Sequence, residues 1–209
     1  MKHYKSINKS YLNDAGHEQR HNKNEYIVIH YTAGANDTAE AVAQYFRNIW
    51  KSKSRYASAH FVVDDKSVFK CVDTSFTAWH CGGDKYKYSN GGKLYGKCSN
   101  YNSIGIEMCK QLNTLDYLTL ENTIALCKDL VKKYGIPTKN IVRHYDVTGK
   151  HCPAKMIDDN EAYKNNWSIF KKAIATGDKF YITIDKNGNC YKRERHGNNN
   201  LIKIGQFKS

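Results

Sequence analysis

The sequence predicts an α/β fold: a central mixed β-sheet flanked by helices, followed by a small C-terminal β meander. Three observations carry that expectation. Short apolar runs at 26–31, 59–63, 68–72, 103–108 and 141–142 alternate with segments whose apolar residues recur at helical spacing, and such alternation packs as helices against a sheet. The runs 59–63 and 68–72 are separated only by Asp64-Asp-Lys-Ser67, which reads as a β-hairpin. At 209 residues, with 40% hydrophobic and 25% charged residues, the chain is long enough for one domain with a substantial core plus a small appendage.

In order, residues 1–24 are polar and read as an extended arm on the domain. Residues 26–31 form the central strand, and Ala33-Gly-Ala-Asn-Asp37 is a turn that ends in an N-cap. A first helix follows over 38–50, with Val42, Tyr45, Phe46, Ile49 and Trp50 as its apolar stripe. Lys51-Ser-Lys-Ser-Arg55 is a basic, polar loop. The hairpin comes next, with His60 in its first strand. The segment 81–101, rich in Gly, Lys, Asn and Ser and carrying Tyr86, Tyr88, Tyr95 and Tyr101, is a long loop of the functional or mobile kind. Residues 103–108 are a buried strand. A second helix over 119–134 presents Leu120, Ile124, Cys127, Val131 and Tyr134, and ends at Gly135 before Pro137. A short strand at 141–142 leads into His144, and a third helix over 160–175 packs through Tyr163, Trp167, Phe170 and Ile174.

Thr176-Gly-Asp178 reads as a boundary between a main domain at 1–175 and an appendage at 176–209. Within the appendage, 180–184, 189–193 and 201–207 are three strands joined by turns at Asn187-Gly188 and at 196–200. About 34 residues cannot bury a core alone, so this piece must pack on something.

No stretch approaches the ~20 apolar residues of a membrane span. The N-terminus is basic but lacks the apolar segment of a secretory signal, which predicts a chain folded in the cytoplasm of the producing cell. The net charge of +13 is spread along the whole chain. Such a spread fits anionic surroundings better than a shaped nucleic-acid site, and no helix-turn-helix, zinc-finger or RNA-binding signature accompanies it. The seven cysteines are an odd number without a CxxC pair, which argues against a disulfide framework, a zinc knuckle or a redox motif. Cys109 and Cys127 read as small buried hydrophobes. A disulfide among Cys71, Cys81 and Cys98 is left open.

Chemistry concentrates in Arg143-His-Tyr-Asp-Val-Thr-Gly-Lys-His-Cys-Pro153, which sets His144, Lys150, His151 and Cys152 close together on one loop. Imidazole and thiolate suit a borderline-soft zinc ion. A third ligand must come from elsewhere. His30, near the end of the central strand, is the first choice and His60 the second, with hydrogen bonding the better reading for His60. His151 stands next to Cys152, but neighbouring side chains in an extended loop point opposite ways. Glu107, a carboxylate near the end of an apolar strand, costs several kcal/mol if left unpaired, so it should face a metal, a base or water.

Val28-Ile-His-Tyr-Thr-Ala33, Ser58-Ala-His-Phe-Val-Val63, Ala78-Trp-His-Cys-Gly82, Asn102-Ser-Ile-Gly-Ile-Glu107 and the 143–153 stretch together resemble the zinc-dependent N-acetylmuramoyl-L-alanine amidases, relatives of phage endolysins and peptidoglycan-recognition proteins. Each motif is weak alone, but the five occur in order across most of the chain. The resemblance implies one zinc ion on His30, His144 and Cys152. It implies Glu107 as the residue that shuttles the proton and Lys150 as donor to the oxyanion, with His80, Asn102 and Thr148 as contacts to glycan or peptide. In some relatives a tyrosine shares the acid/base work; the aligned residue here is Ala59. The implied partner is bacterial, Gram-positive peptidoglycan, with anionic wall polymers suggested by the charge and reached only after release from the producing cell. The appendage then reads as a wall-binding or SH3-like piece. Two alternatives stay open: a non-catalytic recognition protein, and a peptidase using Cys152 with His144 or His151.

Overall fold

Strand β3 (Tyr26–Tyr31) is flanked by two parallel neighbours, β7 (Ser103–Met108) and β8 (Ile141–Arg143), and the sheet grows outward from these three. The structure is a computed structural model that describes residues 5–8, 15–83, 92–112, 116–159, 165–175, 181–184, 189–193 and 201–206. With β1 (Lys5–Asn8), β4 (Phe61–Val63) and β5 (Ser67–Lys70), the six strands run in the order β1-β5-β4-β7-β3-β8. Only the β4–β5 pairing is antiparallel, so the sheet is mixed and the hairpin lies where the sequence places it.

The two faces of this sheet have different fates. Side chains alternate along a strand, and on one face Ile27 and Ile29 meet Ile104, Ile106 and Met108, all fully buried. Helices α2 (Tyr117–Tyr134) and α4 (Asn166–Ala175) cover that face through Leu120, Leu126, Cys127, Phe170 and Ile174. Each such side chain contributes about 1.5–3 kcal/mol by leaving water. The alternation sends Val28 and His30 of β3 and Ser103, Gly105 and Glu107 of β7 to the opposite face. There helix α1 (Ala39–Lys51) lies over β4 and β5, packing Ala39, Ala43, Phe46 and Ile49 around Val62 and Phe69. The β7-β3-β8 part of this face is left to loops, to helix α3 (His144–Thr148) and to a small cluster of Val28, Cys81, Cys98, Val142 and Val147. That gap is where the candidate site sits.

Several elements differ from the sequence reading for identifiable reasons. The N-cap of α1 is Thr38, whose side chain accepts from the Ala41 amide, whereas Asp37 is taken by the Lys110 amide at 2.8 Å. The buried stripe of α1 runs through Ala39 and Ala43, and Tyr45 is 45% exposed, because alanines at the contact let the helix lie close on the hairpin. Residues 144–148 are helical where a loop is expected. Asp146 accepts from the Arg143 amide at 2.8 Å and pairs with its guanidinium, and Gly149 closes the turn at a φ of 82°. In the polar arm, β1 extends the sheet and β2 (His17–Gln19) pairs with β6 (Phe76–Ala78). Gly16 touches the Trp79 ring, where any Cβ would stand 2.7 Å from a ring carbon. Arg20 donates to the carbonyls of Phe76, Tyr101 and Ser103.

At the C-terminus, β9 (Tyr181–Ile184), β10 (Asn189–Arg193) and β11 (Leu201–Gln206) form the expected antiparallel meander, with β9 beside α2 and β11 beside α4. The expected turns at 187–188 and 196–200, the helix start at 160–164 with Tyr163, and Tyr86 and Tyr88 lie outside the described residues. No helix among the described residues is long and apolar enough to cross a membrane.

Candidate metal centre

His30, His144 and Cys152 converge at the ends of β3 and β8. The strand carries His30 to the uncovered face, β8 hands the chain to His144 at the first turn of α3, and the turn after Gly149 returns Cys152. One ligand atom from each lies within 4.8 Å of the others, and all three residues are buried. The His30 and His144 ring centroids are 4.6 Å apart, and His30 Nδ1 is 4.0 Å from Cys152 Sγ.

The donor set fits a soft-to-borderline cation. His144 is hydrogen-bonded to the Cys81 backbone, while its Nδ1 is buried and has no partner. A buried unsatisfied nitrogen costs about 1–3 kcal/mol unless its lone pair is given to something, and a cation is what the neighbouring atoms would share. Burial, with the Lys150 charge and the neighbouring His80 adding to it, holds His144 down at about 3, and burial followed by His144 holds His30 well below the ordinary histidine value. Both rings are thus neutral near pH 7, the form that ligates. Burial, with the Glu107 charge adding to it, pushes the Cys152 thiol up to about 12. The thiol therefore keeps its proton until a cation displaces it.

Glu107 is the Cα partner of His30 across β3 and β7. Its Oε2 is buried without a hydrogen-bond partner, and burial raises the carboxyl to about 7, with Asp37 pushing it further up and Lys150 pulling it down. Lys150 itself is exposed on the turn before Cys152, and its charge is felt at His30, His144 and Glu107 alike.

The three other expected site residues are engaged with protein atoms. His80 Nδ1 is 3.0 Å from His30 Nε2. The Asn102 amide closes a capping box with Ser99 and donates to Glu25 and to the Lys97 carbonyl. Thr148 is buried, with its hydroxyl 3.5 Å from the His144 carbonyl. His60 is held structurally, accepting from the Gly105 amide at Nδ1 and lying 3.1 Å from the Phe76 carbonyl at Nε2. His151 faces solvent and pairs with Asp159 at 2.7 Å. The six described cysteines are free; Cys71 packs under α1, whereas Cys81 and Cys98 hydrogen-bond to each other behind the site.

Two residues that the sequence reading passes over prove central to the geometry. Asn100 Oδ1 accepts the amides of His80, Cys81 and Gly82 at 3.0, 2.8 and 3.1 Å, which fixes the loop carrying His80. Ser103 Oγ lies 3.2 Å from His80 Nε2. A lone Asn or Ser that binds a loop twenty residues away leaves no periodic trace in a sequence.

Comparison with known proteins gives the same family from independent directions. The N-acetylmuramoyl-L-alanine amidase family model matches residues 20–155, a span that contains the cluster, Glu107 and Lys150. The amidase CwlL of Bacillus licheniformis is 31% identical over 183 residues, 86% of this chain and 48% of its own length. The amidase BlyA of Bacillus subtilis (strain 168) is 32% identical over 143 residues, 65% of this chain and 38% of its own. The chain thus spans less than half the length of these curated relatives. The catalytic domain of XlyA superposes with a TM-score of 0.59 at 26% identity, covering 78% of this chain and 92% of that one. PlyL gives 0.61 at 25% identity, covering 76% and 88%. Because the family match runs through most of the chain and the fold agrees with solved members, this chain belongs to the N-acetylmuramoyl-L-alanine amidase family.

Proposed function

We propose that the chain is a peptidoglycan hydrolase that uses zinc to cleave the amide bond between N-acetylmuramic acid and the L-alanine of the stem peptide. The observation that carries this reading is a buried His30, His144, Cys152 cluster with an orphaned imidazole nitrogen, directly beside the half-buried carboxylate of Glu107, whose Oε2 has no hydrogen-bond partner. The names and catalytic-domain structures of the relatives support the same reading.

Zinc held by these three residues supplies Lewis acidity toward water and the scissile carbonyl. Glu107 takes a proton from the attacking water and returns it to the alanine nitrogen as the C–N bond breaks. The products are a lactyl carboxylate on the sugar and a free α-amine. A carboxyl at about 7 is suited to both halves of that transfer. Lys150 donates from its ammonium to the oxyanion of the tetrahedral intermediate. A peptidase with Cys152 as nucleophile is disfavoured, because a buried thiol raised to about 12 carries almost no thiolate.

The wider setting belongs to the same proposal. The substrate is Gram-positive wall, the charge of +13 favours its anionic polymers, and β9, β10 and β11, with β9 beside α2 and β11 beside α4, belong to an appendage at 176–209 on a catalytic domain at 1–175. The protein is made in the cytoplasm and reaches the wall after release. Digesting purified peptidoglycan and labelling the new amines tests the bond assignment. New N-terminal alanine with intact glycan strands is the expected product; new sugar reducing ends or other N-terminal residues would assign a different bond.

A further inference from the structure

The geometry points to His80 and Ser103 as positioning residues that fix the tautomer of His30, so that its Nδ1 lone pair faces Cys152 and His144. The inference rests on reading that cluster as a metal site, and the hydrogen bonds themselves give it direction. The chain of bonds ends on the Ser99 carbonyl, which can only accept. Ser103 Oγ therefore spends its proton on Ser99 and offers lone pairs to its other neighbours. His80 Nε2, 3.2 Å away, must donate to one of them, while the Cys81 thiol at 3.9 Å, a weak donor, is placed for the other. A neutral His80 with its proton on Nε2 has a bare Nδ1. That nitrogen accepts from His30 Nε2 at 3.0 Å, which leaves His30 Nδ1 without a proton, 4.0 Å from Cys152 Sγ. One backbone carbonyl thus sets the proton on a metal-facing imidazole three links away.

Space is arranged for the same end. Gly105 lies under the His80 ring, and a Cβ there would stand 2.5 Å from Cγ and 2.8 Å from Nδ1 of His80. Only glycine lets the ring lie over β7 and reach His30. Asn100 holds the His80 backbone from the other side. Strand β7 therefore supplies polarity from Ser103, room from Gly105 and the carboxylate from Glu107, at successive positions on one face. His80 turns inward to His30 in this arrangement.

The test uses the full chain, with and without zinc. NMR of isotope-labelled histidine reads the tautomer, and competition with a chromophoric chelator reads zinc affinity. The expected result is the Nε2–H form of His30 in both states. His80→Phe and Ser103→Ala lower zinc affinity by about 10- to 100-fold. His80→Asn, whose Oδ1 places an acceptor close to the former Nδ1, keeps the affinity within a few-fold. An Nδ1–H form of His30 in the wild type, or unchanged zinc affinity in folded Ser103→Ala and His80→Phe, overturns the inference. Should His80→Phe fail to fold, the wild-type tautomer and Ser103→Ala decide. A wild type that binds no zinc defeats the metal reading instead, and the zinc-free spectrum still decides the tautomer.

Discussion

His30 and Glu107 are Cα partners in the parallel ladder between β3 and β7, so an imidazole and a carboxylate stand on the same sheet face one strand apart. Strands about 4.8 Å apart bring their side chains within reach of one small molecule without a loop having to move. In the proposed mechanism the site's two tasks, holding a cation and moving a proton, fall to neighbouring strands and can be separated by mutation.

Glu107→Ala should lower hydrolysis by about 10²- to 10⁴-fold, the usual worth of a general base, while zinc content stays that of the wild type. Turnover on purified peptidoglycan, with metal analysis of the same sample, checks both halves. Activity near the wild-type level would remove Glu107 from the mechanism.

Cys152→Ser replaces a thiolate ligand with a hydroxyl that does not ionise near neutral pH. Zinc and activity should fall together, whereas circular dichroism of the zinc-free variant should match that of the zinc-free wild type. Retention of one zinc per chain would show that Cys152 is not a ligand.

Burial gives Glu107 a proton affinity in the folded state above its ordinary one, with a carboxyl at about 7 instead of 4.5. The folded state then binds more protons than the unfolded one between those values. Its stability on this account is fully present below about pH 4.5 and is lost as pH rises through 7, by about 3 kcal/mol in all. His30 and His144, held low by burial, push stability the opposite way below about pH 6.5. The Glu107 contribution is therefore read as the difference between urea melts of zinc-free wild type and Glu107→Gln, which should shrink as pH rises from 4.5 to 7. A difference that stays constant across that range would contradict the burial argument.

Phe170 is fully buried where α4 packs on the sheet. Phe170→Ala should cost about 3–5 kcal/mol of stability by urea denaturation, through lost burial and the cavity left behind. A loss under 1 kcal/mol would mean that α4 is not part of the cooperative core.

The strands that carry the site were legible in the sequence because their apolar runs are short and bounded, and His30, Glu107, His144 and Cys152 stand at their ends or just beyond. Helix α1 was legible as a helix, and Phe46 and Ile49 of its expected stripe are buried, but Ala39 and Ala43, which bring it close to the hairpin, carry too little hydrophobic weight to stand out beside the exposed Tyr45. The arm left no periodic signal, because β1 and β2 are held by backbone pairing, and Gly16 is defined by the ring it must not touch. Thr148 and Asn102 were expected at the site only through the family resemblance. Their partners, a helix carbonyl and a loop, are matters of three-dimensional proximity that spacing does not report.

Zinc content and new alanine amines, measured on one preparation digesting Gram-positive peptidoglycan before and after chelation, test the central claim most directly. The account predicts one zinc per chain and release of alanine amines that stops on chelation and returns with added zinc. Undiminished release from metal-free protein, blocked instead by alkylating Cys152 with iodoacetamide, would contradict it.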